Sequence, residues 1–173
     1  MVSGLFLLTM LVCGLVGAQP EGLEPRVEKL EKANDELVKS QVAFSAALVE
    51  SDAWTVLGPF EQDHTLKFER VVTNIGNGYD RQTGIFTAPV KGLYYVHMTG
   101  MAGSSGEMNV GLKKNGVNMF AIHHKAGIQA SASNSMTLAL EQGDRLFAQL
   151  WAGLTIADQS HLSTFTAFLV FPM

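Results

Sequence analysis

Two hydrophobic periods divide the chain. From Val27 the repeating positions are Val27, Leu30, Asn34, Leu37 and Gln41, alternately three and four residues apart. They occupy a and d positions of a heptad. Pro25 suits a first helical turn, and Glu28 with Lys32 and Asp35 with Lys39 are acid-to-base pairs four apart. Residues 19–41 are therefore predicted to be a linker and a short coiled-coil neck, with Val27, Leu30, Asn34 and Leu37 as its seam. Asn34 would hold the register. The seam spans about two heptads, so a solvated amphipathic linker helix is the plainer alternative. After Gln41 the period becomes two. Strands are predicted over Val42 to Val49, Leu66 to Thr73, Ile85-Phe86, Leu93 to Thr99, Met108 to Lys113, Val117 to His123, Ser135 to Leu140, Arg145 to Trp151 and Thr164 to Phe171. Turn clusters separate them at Asn74 to Gly78, Arg81 to Gly84 and Glu141 to Asp144; Asn115-Gly116 marks a tight hairpin. Residues 153–162 read as a longer loop.

Short strands at regular intervals predict an all-β sandwich or jelly roll over residues 42–173. Its last strand is apolar on both faces: Phe165, Ala167, Leu169 and Phe171 on one, Thr166, Phe168 and Val170 on the other. An antiparallel strand with one wet face would alternate. Two apolar faces call for two dry environments, the core and a neighbouring subunit. Phe44, Tyr95, Thr166, Phe168 and Val170 are the interface candidates, with Val42, Ala46 and Leu48 beside Phe44.

Composition narrows the class. The 173 residues are 47% apolar, 16% charged and carry a net charge of −4. The apolar content excludes a disordered chain. No basic stripe is present, so nucleic acid is not the expected partner. Residues 1–18 lack charged side chains, hold an apolar run from Leu5 to Val16, and end in Val16-Gly17-Ala18. This pattern predicts a secretory signal peptide cleaved before Gln19, and hence an extracellular product. No span is expected in the mature chain. The single cysteine, Cys13, falls inside that signal, so the mature chain would form no disulfide and no thiolate zinc site. No collagen-like Gly-X-Y tract is present.

One spaced run stands out: Phe68, Asn74, Tyr79, Phe86, Gly92 and Tyr94. It resembles the signature of the complement C1q globular-head family, and the likeness extends over residues 42–173. Val96 and Met98 depart from it, standing where that family has aromatic residues. The resemblance implies a ten-stranded jelly roll, packed as a homotrimer, with a two-sheet topology like tumour necrosis factor. On physical grounds the six residues are structural. Phe68, Phe86 and Tyr94 are core anchors, Asn74 suits a turn, and Gly92 suits a place of close backbone approach.

Catalytic chemistry is not apparent. His64, His97, His123, His124 and His161 form no metal-binding spacing, and adjacent His123 and His124 point to opposite faces of a strand. Gly103-Ser104-Ser105-Gly106 lacks the nucleophile-elbow spacing. The expectation is therefore no enzyme and no certain cofactor. Calcium is a possible ligand, as in some members of the family. Asp52, Asp63, Asp80, Glu107, Asp144 and Asp158 offer hard oxygen donors in loops. Trp151 and the loop after it could face outward to meet carbohydrate or protein. The expected function is that of a secreted trimeric protein for innate-immune-type recognition of microbial or cell-surface ligands, glycans among them, by multivalent head binding. The alternative is a signalling ligand or organiser, of the adiponectin or cerebellin kind, for a cell-surface receptor.

Overall fold

Alternating side chains need a second layer to bury their apolar half, and here two antiparallel sheets supply it. The computed structural model describes residues 22–173; the expected signal segment lies outside the described residues. A helix, α1 (Leu23–Lys39), comes first, with Glu24 in its first turn. Its seam residues Val27, Leu30, Asn34 and Leu37 are all exposed, Leu30 by 68%.

Thirteen strands follow among the described residues: β1 (Ala43–Ala47), β2 (Thr55–Leu57), β3 (His64–Thr65), β4 (Arg70–Ile75), β5 (Tyr79–Asp80), β6 (Ile85–Thr87), β7 (Gly92–Ala102), β8 (Met108–Lys114), β9 (Val117–His124), β10 (Ala130–Leu140), β11 (Arg145–Leu150), β12 (Ile156–Asp158) and β13 (Thr164–Pro172). The resemblance implies ten strands and the pattern locates nine; those the pattern does not locate are β2, β3, β5 and β12, each of two or three residues, too short to carry a period. β12 corrects the reading of 153–162 as plain loop. It forms where Asp158, fully buried, accepts hydrogen bonds from the Val49 and Ser163 amides.

The first sheet runs β2–β12–β7–β13–β1–β4, with β10 on the other side of β7. The second runs β5–β6–β11–β8–β9, with β3 on β11. The β8–β9 hairpin turns at Asn115 and Gly116, both at positive φ (51° and 89°), as the Asn-Gly pair predicts. Between the sheets lie Phe44, Phe68, Phe86, Tyr94 and Phe165, each at most 1% exposed. Phe44 stacks on Tyr79 (4.7 Å between ring centroids) and on Phe86 (5.0 Å), and meets Phe165 edge-on (4.8 Å). Phe44 was expected at a subunit interface and is instead in the middle of its own core. Val42, Ala46 and Leu48 are buried in the same core. The inward face of β1 takes the alternate positions that the pattern had assigned outward.

Candidate functional site

The six signature residues hold the head together through specific contacts. Tyr79 is buried, and its hydroxyl accepts from the Phe68 amide (2.9 Å) and donates to the Phe68 carbonyl (3.2 Å). Burial pushes its phenol up to about 12. Asn74 stands in β4 rather than in a free turn. Its amide imitates a peptide: Nδ2 donates to the Tyr79 carbonyl (2.8 Å), and Oδ1 accepts from the Tyr79 amide (3.1 Å). The pair closes residues 75–78 into a loop. The Tyr94 hydroxyl donates to the Val90 carbonyl at 2.6 Å, and burial raises its phenol. A Cβ at Gly92 would stand 2.5 Å from Leu169 Cδ1 and 2.6 Å from the Phe171 carbonyl oxygen. No side chain fits there. The run is thus a set of braces, and the surfaces available for contact lie elsewhere.

The outer face of the first sheet is one such surface. Pairing places Phe168 opposite Tyr95 and Ala43, and Thr166 opposite His97 and Ser45. Ser45 and Thr166 share a hydroxyl hydrogen bond at 3.0 Å. The Tyr95 and Phe168 rings are 5.3 Å apart. Phe168 is 40% exposed, Val170 49% and Phe171 49%. The Phe171 position corrects the alternation expected for the last strand. The register slips between Leu169 and Phe171, so Val170 is an extra residue and Phe171 pairs with Leu93 on the outer face. Tyr95, Thr166, Phe168 and Val170 thus lie together, joined by Phe171, which the pattern had placed inside. His97 sits in the same row. Its Nε2 is 3.1 Å from Thr99 Oγ1, and its Nδ1 is buried without a partner.

The outer face of the second sheet is chemically different. Register puts Gln149 opposite Gly111 and Gly111 opposite Ala121; one step along, Asn109 lies opposite His123 and accepts at its carbonyl from the Trp151 amide (3.2 Å). The alternate positions Val110, Leu150 and Ile122 face the core. Trp151 is 38% exposed. This face carries amides, an indole and the close pair His123 Nε2 and Glu107 Oε1 (2.8 Å).

The six acids considered for calcium are each engaged locally. Asp52 meets His161 Nε2 (2.7 Å), Asp63 accepts from the Ala152 amide, Asp80 from Gln82 and Thr83, and Glu107 meets His123. Asp158 is buried in the β12 network. Asp144 contacts Lys114 (2.9 Å), Asn115 and the Glu141 amide, which hold its carboxyl down at about 2. Among the described residues no three His, Cys, Asp or Glu side chains gather at one point. The candidate donors therefore do not make one site within a single head. No described helix is long and apolar enough to cross a membrane.

Comparison with known proteins places this architecture. A family model described as "C1q domain" matches residues 43–170. Human "Complement C1q tumor necrosis factor-related protein 3" is 33% identical over 134 residues, 76% of this chain and 52% of that protein. Human "Complement C1q and tumor necrosis factor-related protein 9A" is 34% identical over 150 residues, 81% of this chain and 42% of that protein. The chain spans about half the length of the curated relatives it matches. Among solved structures, the globular domain of zebrafish complement 1qA aligns with a TM-score of 0.58 and 23% identity, covering 76% of this chain and 99% of that one. Murine APRIL aligns with a TM-score of 0.55 and 14% identity, over 75% and 99%, which shows a shared fold.

Proposed function

The chain belongs to the C1q domain family, and from that premise we propose that it is a secreted, non-enzymatic recognition protein that works as a homotrimer. The supporting observation is the exposed apolar row Phe168, Val170 and Phe171 beside Tyr95 on the first sheet. Water is a poor neighbour for that row, and a second and third copy would cover it. Three heads on one assembly raise weak single contacts to useful avidity when target spacing fits. The α1 seam adds a neck that sets subunit number. The target is a microbial or cell-surface glycan-bearing structure, contacted through faces that remain outside after assembly. A receptor-binding signalling role is the second reading. It is supported by relatives named as C1q tumour necrosis factor-related proteins.

Size-exclusion with light scattering on the secreted full chain tests the assembly, with and without calcium. A trimer at about 1 micromolar supports the reading. A stable single chain at that concentration overturns it. A panel of glycans, bacterial surfaces and receptor-bearing cells then separates the two roles. Retention by receptor-bearing cells alone would favour signalling.

A further inference from the structure

If the first sheet's outer face is covered in the trimer, the second sheet's outer face is left to meet ligands. Along β8 the outward row is Asn109, Gly111 and Lys113, preceded by Glu107 just before the strand. Gly111 is a gap in that row. A Cβ there would come within 2.4 Å of Asn118 Oδ1 and 3.6 Å of Trp151 Nε1. The Asn118 amide and the Trp151 indole edge therefore converge over the missing side chain. Asn109, next in the row, has its Oδ1 buried with no hydrogen-bond partner. An unmade bond at a buried acceptor is unfavourable, so this oxygen is a standing demand for a donor.

We propose that this face binds a pyranose sugar, centred on Trp151, Gly111 and Asn109. A pyranose ring has an apolar C–H face and a rim of hydroxyls. The exposed indole offers an apolar plane and one N–H donor. Asn118 and Gln149 offer amides that both donate and accept, as vicinal hydroxyls require. Asn109 Oδ1 takes a hydroxyl hydrogen once the half-exposed indole shifts to admit the ring. His123 and Glu107 satisfy each other at one end of the row, 2.8 Å apart, and Lys113, opposite Asn118, closes the other end. The site deepens the recognition reading above and rests on it.

The full chain is tested against immobilised multivalent mannose, galactose and N-acetylglucosamine conjugates. Wild type binds at least one of them. Trp151→Ala weakens that binding about tenfold or more, whereas Trp151→Phe, which keeps an aromatic plane, retains much of it. Asn109→Ala removes the unpartnered acceptor. It weakens sugar binding while leaving thermal stability equal or higher, a combination that a purely structural role would not give. Wild-type behaviour of both alanine variants, or no binding of any sugar by the wild type, overturns the site. Light scattering on the same samples separates the readings: a trimer that ignores sugars sinks only this inference, while a single chain sinks the assembly.

Discussion

Phe168→Glu tests the assembly most directly. Phe side chains expose roughly 150–250 Å² in an unfolded chain. Phe168 keeps 40% of its surface exposed in the single head, which leaves roughly 60–100 Å² for a neighbour to cover. At about 25 cal/mol per Å² that is roughly 1.5–2.5 kcal/mol per subunit, and roughly 5–7 kcal/mol over three copies. A glutamate removes this gain and adds the cost of bringing three carboxylates together in a dry place, several kcal/mol more. The three-body dissociation constant should rise by at least roughly 10³-fold. Because the side chain points away from the core, the variant should fold. Circular dichroism and thermal melts check that, and light scattering from about 1 to 100 micromolar reads the mass. Phe165→Glu, in the core, is the contrast and should unfold the head. A Phe168→Glu variant that stays trimeric at the lowest concentration refutes the reasoning, because the row would then not be at the interface.

Other outcomes follow from single contacts. Tyr79→Phe strips both partners from the buried Phe68 backbone and should cost about 1–3 kcal/mol in urea melts of the head; it should also delete the tyrosine that titrates near 12. The Asp144 carboxyl sits at about 2, below its ordinary 3.8, so its contribution is full above pH 4 and is lost as pH falls toward 2. Urea melts should show about 1 kcal/mol, screened by solvent, vanishing over that window, and Asp144→Asn should remove this part of the slope. Leu30→Asp on α1 should weaken assembly less than Phe168→Glu does, measured by the concentration at which light scattering drops to one chain. An equal or larger effect would move the main interface to the neck.

Much of the head was legible because burial imposes period two on long strands. β7, β8, β9 and β11 each present a run of alternation, and the Asn115-Gly116 turn carries its own backbone signal. The signature run was legible as spacing, although its mechanism was not. That Asn74 would pair with the Tyr79 peptide, and Tyr79 with that of Phe68, depends on a loop closing in three dimensions. Two failures have different causes. Phe171 was assigned to a face by counting twos, and one extra residue reverses every position after it. Phe44 was correctly grouped with Val42, Ala46 and Leu48, but which side of a strand meets the core is set by its neighbours. The short strands β2, β3, β5 and β12 fell below any period. On the second sheet Trp151 was singled out by type alone. Gly111 and Asn109 became meaningful only once β8 lay between β9 and β11.

The extra residue at Val170 has a consequence for how this lineage of heads can vary. Removing it would restore strict alternation, keep Phe171 opposite Leu93 on the exterior and strip one apolar side chain, Val170, from the exposed row. Lengthening or shortening the chain by one residue near its end would thus retune how tightly copies cling to one another. The fold's inner packing, completed upstream at Phe165 and Ala167, would be left intact.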